Sequence, residues 1–199
     1  MKTIILGGFL GAGKTTVLMQ LASYLVRQNK DAETAVVILE NEISSAGIDN
    51  RLIEQADFKV ENIFDGCVCC SSTGLLRNNV KTIEKEYNPR WLIIEATGMA
   101  YPDNIRETLV DEAGIDASII ALADAKRWAR TCRAMGDFVR SQLKDAAVIL
   151  LNKIDLIEED TIPALKEEVA GYNKEANIYP IVAVKTIEDG FWEEIIMQL

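Results

Sequence analysis

The sequence lacks histidine entirely and contains only four cysteines among its 199 residues. Without histidine, any transition-metal site must be built from thiolate, carboxylate, backbone or water ligands. No run of about 18 uninterrupted apolar residues is present, so the sequence predicts no membrane-spanning segment. Glycines and Lys14 interrupt the apolar start before any cleavage site, which argues against a signal peptide. We therefore expect a cytoplasmic protein whose cysteines serve metal or redox chemistry rather than a disulfide scaffold.

Basic residues are also scarce: 21 lysines and arginines face 31 aspartates and glutamates, which leaves a net charge of -10. A nucleic-acid interface needs clustered basic side chains, so this class of partner is excluded. The content of 49% hydrophobic and 26% charged residues is that of an ordinary globular protein. No repeat, low-complexity tract or linker divides the chain. We predict one domain over residues 1–199, without a second, C-terminal domain.

Short β-rich runs alternate with amphipathic helical patterns along the whole chain. The β runs are TIILGG, TAVVILE, KVENIF, WLIIEA, SIIALADA, AAVILLNK and IYPIVAV. They are nearly continuous in valine, isoleucine and leucine, which is typical of strands covered by helices on both faces of a parallel sheet. The helical patterns are TVLMQLASYLVRQN, TGLLRNNVKTIEKEY, MGDFVRSQLKD and DTIPALKEEVAGYNK, and GFWEEIIMQL reads as a final helix. The predicted fold is a three-layer α/β sandwich with a mostly parallel sheet.

The segment GFLGAGKT at residues 8–15 matches the P-loop pattern G-x-x-x-x-G-K-[ST], directly after a strand and before a helical pattern. Its glycines allow backbone N–H groups to point at phosphate oxygens. Lys14, expected on an exposed loop, would reach the β- and γ-phosphates, and the Thr15 hydroxyl would ligate Mg²⁺. The alternative is a glycine-rich turn with an incidental lysine. The predicted nucleotide-binding residues of this loop are Gly8, Gly11, Ala12, Gly13, Lys14, Thr15 and Thr16.

A second nucleotide motif, N-K-x-D, stands at the end of the run AAVILL as Asn152, Lys153 and Asp155. The aspartate carboxylate accepts hydrogen bonds from N1–H and the 2-amino group of guanine. Adenine would leave that carboxylate unpaired, which is how a polar site rejects the wrong ligand. The alternative is a plain strand-to-helix turn. Val184 and Lys185 follow at the place where GTPases often carry a further guanine contact.

Acidic residues near strand ends are candidates for magnesium binding and catalysis. Glu95 ends the strand WLIIE, and Gly98 follows it and could approach the γ-phosphate through its backbone N–H. A carboxylate at this place could hold Mg²⁺ through water. Glu40, Glu42 and Asp49 are expected in a loop after the second strand, where a γ-phosphate-sensing switch is usual. We predict Lys14, Glu95 and Gly98 as catalytic and Thr15, Glu42, Asp49 and Glu95 as magnesium candidates; for each acid the alternative is a solvated loop residue.

Three of the four cysteines fall within four positions, as Cys67, Cys69 and Cys70 after Gly66. This spacing is too tight for an unstrained disulfide, but three thiolates in a turn can converge on one soft metal ion. Three sulfurs leave a tetrahedral ion one ligand short, to be filled by water, a glutamate or a partner's group. The alternative is three small buried hydrophobic residues at a strand end. Cys132 is interpreted as an ordinary half-buried residue.

In chain order, GGFLGAGKTT, LENEISSAGID, GCVCC, IIEATGMAYP, IIALADA and LLNKID resemble the CobW branch of the CobW/HypB/UreG metallochaperone GTPases. The resemblance covers residues 1 to about 190. It implies GTP or GDP with Mg²⁺ as ligands, and Zn²⁺, Co²⁺ or Ni²⁺ at the C-x-C-C motif. It also implies a client metalloprotein or cofactor-assembly protein that receives the metal. A homodimer that depends on nucleotide or metal is a further expectation.

Three hypotheses follow from the motifs. The first is a GTPase that couples hydrolysis to metal delivery, with slow intrinsic turnover because no water-positioning glutamine or arginine finger stands out. The second is a nucleotide-dependent switch or scaffold with a structural zinc site and little catalysis. A P-loop kinase is the third, and it is disfavoured by N-K-x-D and by the lack of an acceptor domain. The rate of metal exchange separates the first two hypotheses.

Overall fold

The computed structural model describes residues 1–40, 59–62 and 73–199. Strands form where β-branched and aliphatic residues run together, since their side chains pack well on a pleated, covered surface. Within the described residues there are seven: β1 (Lys2–Gly8), β2 (Val36–Glu40), β3 (Lys59–Asn62), β4 (Trp91–Glu95), β5 (Ser118–Asp124), β6 (Ala146–Asn152) and β7 (Asn177–Ile181). These strands correspond to the seven β runs of the sequence.

The seven strands form one sheet in the order β3-β2-β4-β1-β5-β6-β7, and every neighbouring pair is parallel. The chain adds β2, β3 and β4 on one side of β1 and then crosses to β5, β6 and β7 on the other. In open parallel sheets, ligands bind outside the carboxyl ends of the strands where the winding direction reverses. The topology therefore places a ligand site at the end of β1.

Helices connect the parallel strands. They are α1 (Lys14–Gln28), α2 (Thr73–Tyr87), α3 (Pro102–Thr108), α4 (Trp128–Leu143), α5 (Ile162–Ala170) and α6 (Asp189–Ile196). A π-helical turn at Leu109–Ala113 extends α3, and 3-10 turns lie at Ile154–Leu156 and Glu159–Thr161. Non-helical dihedral angles at Met135 (φ -146°, ψ 42°) kink α4. Among the described helices none is long and apolar enough to cross a membrane.

Two apolar layers cover the two faces of the sheet. On one face, Ile5, Leu92 and Ile94 pack with residues of α2, α3, α4 and α5. On the other face, Ile4 and Ile93 pack with residues of α1 and α6. Alternate residues of each strand point to opposite faces, so both positions must be apolar, which explains the continuous apolar runs. The predicted three-layer α/β sandwich is confirmed.

Candidate functional site

The P-loop connects β1 to α1 at the point where the sheet topology predicts a ligand. Gly8, Gly11 and Gly13 have positive φ angles of 130°, 73° and 102°. A side chain at Gly13 would also collide with the amide nitrogen of Asn152. These glycines let the backbone curl into the start of α1. The N–H groups of the loop and the positive end of the helix dipole therefore point toward the same cleft.

Lys14 is the first residue of α1 and is only 7% exposed. The sequence-based expectation of an exposed lysine was therefore wrong. Its Nζ donates to the carbonyl oxygen of Phe9, 3.5 Å away across the curl of the loop. The curl folds the loop over the lysine stem and excludes water from it. A cation held in this partly desolvated place interacts strongly with phosphate oxygens.

Thr15 and Glu95 meet at the mouth of the loop. The Thr15 hydroxyl donates to Oε1 of Glu95 at 3.0 Å, although 80 residues separate them in sequence. Register explains the contact, because Leu6 of β1 lies beside Glu95 of β4. Glu40 ends β2 next to Glu95, so carboxylates stand at the ends of two neighbouring strands. This arrangement puts hydroxyl and carboxylate oxygens, the ligands that Mg²⁺ prefers, beside the P-loop.

Asn152 ties the two nucleotide motifs together. Its buried side chain donates from Nδ2 to the carbonyl of Ala12 at 2.8 Å. Its Oδ1 accepts from the backbone N–H of Lys153 at 2.8 Å and from that of Ala183 at 2.9 Å. One amide therefore holds the P-loop, the N-K-x-D turn and the loop after β7 in fixed relative positions.

Asp124 is a site residue that the sequence analysis missed. It ends β5 directly beside Asn152 in the register, and its side chain is 8% exposed. Its Oδ2 accepts from Nε of Arg127 at 2.7 Å and from Nζ of Lys153 at 2.8 Å. Both cations also donate to the carbonyl of Gly11 in the P-loop. An acid at the carboxyl end of a strand next to the P-loop strand was the signal that could have found it.

The electrostatic balance at Asp124 favours its charged form. Burial alone raises the pKa of this carboxyl, but the hydrogen bonds from Lys153 and Arg127 together outweigh it and lower the pKa below its ordinary value. Because the pKa is lowered in the folded state, Asp124 stabilises the protein at pH values above the ordinary pKa of an aspartate. That contribution is lost as the pH falls through the folded-state pKa.

Asp124→Asn is expected to lower the free energy of unfolding by about 1 to 3 kcal/mol near neutral pH, because two charged donors lose their anionic partner. The difference from wild type should shrink as the pH falls below the ordinary pKa of an aspartate and through the lower pKa that Asp124 has in the folded protein. Urea unfolding at several pH values measures both effects. The matched control is Asp116→Asn, which breaks an exposed pair with Arg106 and should change stability by less than about 1 kcal/mol. Equal effects of the two substitutions would contradict the interpretation.

The P-loop and N-K-x-D motifs line one cleft of about 500 Å³, a volume in the range of small-molecule sites. Asp155 lies on the 3-10 turn after β6, is exposed and lines the cleft. The remaining predicted site residues in the lining are Gly11, Gly13, Lys14, Thr15, Thr16, Glu95, Asn152, Lys153 and Val184. Lys185 does not line it; its carbonyl accepts from Nε2 of Gln20 at 3.0 Å.

Gly98 lies in a tight turn after β4, closed by a 3.0 Å hydrogen bond from the N–H of Ala100 to the carbonyl of Thr97. A Cβ at Gly98 would come within 2.5 Å of the backbone nitrogen of Leu10. Only glycine lets this turn approach the P-loop so closely. The remaining predicted site residues, Glu42, Asp49, Cys67, Cys69 and Cys70, lie outside the described residues.

Comparison with known proteins places the chain in a family. It matches the family model described as CobW/HypB/UreG, nucleotide-binding domain, over residues 2–180. It is 28% identical to zinc-regulated GTPase metalloprotein activator 1 of Dictyostelium discoideum over 217 residues, covering 87% of this chain and 44% of that protein. It is 30% identical to the zinc chaperone YeiR of Escherichia coli K12 over 169 residues, covering 83% of this chain and 50% of that protein. The chain thus spans about half the length of these curated relatives.

Solved structures support the fold. The hydrogenase maturation factor HypB from Archaeoglobus fulgidus superposes with a TM-score of 0.68 at 17% identity, covering 99% of this chain and 89% of that chain. The P-loop and N-K-x-D motifs, which Asn152 joins in one cleft, fall within the residues that the family model matches. The chain belongs to the CobW/HypB/UreG family and carries its nucleotide-binding domain.

Proposed function

We propose that this chain is a GTP-binding and GTP-hydrolysing metallochaperone-like protein that couples its nucleotide state to transition-metal binding. The observation that carries the proposal is a cleft lined by both the P-loop and the N-K-x-D motif. The Asn152 amide connects the two motifs through its hydrogen bond to the Ala12 carbonyl. The names of the curated relatives, a zinc-regulated GTPase metalloprotein activator and a zinc chaperone, support the metal part. The proposal places the protein in the cytoplasm, where reducing conditions keep thiols free to bind metal.

Guanine is the base that the cleft suits. Asp155 lines the end of the cleft formed by the N-K-x-D turn, on a turn held by the hydrogen bond between Asn152 and the N–H of Lys153. Its carboxylate would accept from N1–H and the 2-amino group of guanine. Val184 is 83% exposed and also lines the cleft, which gives the flat face of the base an apolar neighbour.

The phosphate end of the cleft suits hydrolysis by in-line attack of water on the γ-phosphate. Lys14 would neutralise charge on the β- and γ-phosphate oxygens, and the P-loop N–H groups would hold them in position. Gly98 would offer its backbone N–H to the γ-phosphate from the turn beside Leu10. The Arg127 guanidinium already donates to the Asp124 carboxylate and to the Gly11 carbonyl. It would therefore contribute little to neutralising charge on the γ-phosphate, and we expect slow intrinsic turnover.

The residues present fit a magnesium ion. The Thr15 hydroxyl and the Glu95 carboxylate are 3.0 Å apart beside the phosphate end of the cleft, and both are oxygen ligands of the kind that Mg²⁺ selects. Thr15 would bind the ion directly and Glu95 would hold it through water, with Glu42 and Asp49 as further candidates. The ion, when bound, neutralises phosphate charge.

The transported metal is proposed to bind at Cys67, Cys69 and Cys70, three thiols that form a soft ligand set for Zn²⁺, Co²⁺ or Ni²⁺. An incomplete set of three sulfurs suits an ion that is passed on, since a fourth ligand can come from the recipient. That recipient would be a client metalloprotein or a cofactor-assembly protein. Dimerisation that depends on nucleotide or metal would be one way to start the transfer.

Coupling between the two sites tests this proposal. We expect the affinity for Zn²⁺ to differ about 5- to 150-fold between the GDP-bound protein and the protein bound to a non-hydrolysable GTP analogue, which corresponds to about 1 to 3 kcal/mol. Reciprocally, bound zinc must change nucleotide affinity by the same factor. Competitive titration of Zn²⁺ in each nucleotide state measures the first effect, and nucleotide titration with and without zinc measures the second.

The control for this experiment comes from the fourth cysteine. Replacing Cys67, Cys69 and Cys70 with serine should remove zinc binding and coupling while GTP still binds. Cys132→Ser should leave both intact, because Cys132 is a half-buried residue of α4 packed on the apolar layer that covers one face of the sheet. One zinc affinity in both nucleotide states would instead favour a switch with a structural zinc site.

A further inference from the structure

Gln142 of α4 is a polar side chain that the proposed chemistry does not use. It is only 1% exposed, and both ends of its amide are hydrogen-bonded. Oε1 accepts from the backbone N–H of Gly8 at 2.9 Å, and Nε2 donates to the carbonyl of Ala100. Because one partner is a donor and the other an acceptor, a neutral amide satisfies both, and its orientation is fixed.

The two backbone partners belong to the two segments that would contact phosphate. Gly8 is the first residue of the P-loop and lies 134 residues before Gln142 in sequence. Ala100 closes the tight turn that contains Gly98, and that turn packs against the backbone of Leu10. The amide therefore connects the loop that would hold the phosphates to the turn that would detect the γ-phosphate.

The end of the same helix, with the residue that follows it, makes three further contacts with the P-loop and with residues just after the turn. The ring of Phe138, one helical turn before Gln142, packs edge-on against Phe9 of the P-loop, with 5.3 Å between ring centroids. It packs in the same way against Tyr101, which follows the turn, at 5.1 Å. Just after the helix, Nζ of Lys144 lies 3.1 Å from Oδ2 of Asp103. The part of α4 after the kink at Met135 thus contacts both segments.

We propose that Gln142 is a positioning residue that couples the P-loop to the turn containing Gly98, so that the γ-phosphate is recognised by both at once. This inference rests on the proposed function, since it concerns the same nucleotide site. Loss of the amide would let the turn move relative to the loop. A nucleotide with a γ-phosphate would then bind more weakly, whereas GDP lacks the phosphate that the turn would contact and would be little affected.

Gln20 supplies a matched control at the opposite end of the cleft. Its Nε2 donates to the carbonyls of Ala183 and Lys185 at 2.7 and 3.0 Å, and its Oε1 accepts from the N–H of Ile187 at 2.8 Å. It is thus a second glutamine that holds backbone groups in place, here by connecting α1 to the loop after β7, beside the proposed base site. GDP and GTP carry the same base, so both would contact that loop in the same way.

The experiment compares Gln142→Met with Gln20→Met, using dissociation constants for GDP and for a non-hydrolysable GTP analogue. Gln142→Met should weaken binding of the GTP analogue about 5- to 10-fold, which is the loss expected for one or two hydrogen bonds, and should change GDP binding less than about 2-fold. Gln20→Met should weaken both nucleotides by the same factor. Equal weakening of both nucleotides by Gln142→Met, or no weakening of either, would overturn the inference.

Failure of the inference differs from failure of the proposed function. If the wild-type protein does not bind guanine nucleotides, the proposed function fails. If the wild type binds them and Gln142→Met keeps the wild-type ratio of affinities, only the role of Gln142 fails. Should Gln142→Met not fold, Phe138→Leu replaces it, because this half-buried ring contacts the same two segments. Phe138→Leu must also weaken the GTP analogue more than GDP, and an unchanged ratio would overturn the inference.

Discussion

Replacing Lys14 with alanine is expected to reduce the rate of GTP hydrolysis by at least about 100-fold, because it removes the cation that would neutralise charge on the transferred phosphoryl group. The lysine stem is buried by the curl of the P-loop, and its amine is held across that curl near the carbonyl of Phe9. Triphosphate binding should weaken as well. Single-turnover hydrolysis and nucleotide titration measure the two effects separately.

A matched control distinguishes this local role from a general effect of charge. Lys126 is an exposed lysine in the turn between β5 and α4, at the same edge of the sheet. Lys126→Ala makes the same change in net charge and should leave hydrolysis within about 2-fold of wild type, because screened surface charges contribute little. The free energy of unfolding of Lys14→Ala is measured alongside, because Lys14 is buried and a loss of turnover must be separated from a loss of stability. Wild-type turnover by Lys14→Ala would rule out the P-loop interpretation.

Asp155→Asn is expected to raise the dissociation constant for GTP by at least about 100-fold, since two hydrogen bonds to a charged acceptor are lost. Xanthosine triphosphate should become the preferred nucleotide. Xanthine carries a 2-oxo group that accepts from the asparagine amide, while its N1–H still meets the amide oxygen. Wild-type protein should prefer GTP to ATP by a comparable factor. Competitive titration with the three triphosphates measures these preferences.

The control for Asp155 is Glu158, an exposed acid in the following turn that does not line the cleft. Glu158→Gln removes the same charge and should leave the order of nucleotide preference unchanged. If wild-type protein binds ATP and GTP equally, or if Asp155→Asn keeps its preference for GTP, then Asp155 does not read the base. The coupling between nucleotide and metal is tested separately, by the zinc titrations in the two nucleotide states.

The fold could be predicted from the sequence because its signals are local. All seven strands fall on the predicted β runs, which are largely apolar except for β3 with the sequence KVEN, and residues 73–87 form the helix that their amphipathic pattern predicts. Two helical segments were not predicted from the sequence, namely α3 and the first half of α4. Helix α3 spans only Pro102–Thr108 and runs into a π-helical turn, so it is too short to show a period of 3.6 residues. The first half of α4 has Trp128 as its only large apolar residue, and the predicted part begins at the kink at Met135.

The candidate site was predictable only where its residues form contiguous motifs. GAGKT and NKID can be recognised because each motif places its functional groups within a few residues. Asp124 and Gln142 belong to no such motif, and their roles arise from contacts that the sheet order creates. Gln142 reaches Gly8 across 134 residues, and Asp124 is adjacent to Asn152 only because β5 pairs with β6. No local pattern encodes a contact of that kind.

The buried amide of Asn152 has a consequence for how this site can change during evolution. Its three backbone partners lie on the P-loop, on the N-K-x-D turn and on the loop after β7. A shift of any one of these loops leaves part of a buried amide unpaired, which is unfavourable by about 1 to 3 kcal/mol. The N-K-x-D turn and the P-loop are therefore not separate modules. A protein that borrowed the NKID turn alone would lack the Ala12 carbonyl that holds its asparagine, because that carbonyl belongs to the P-loop.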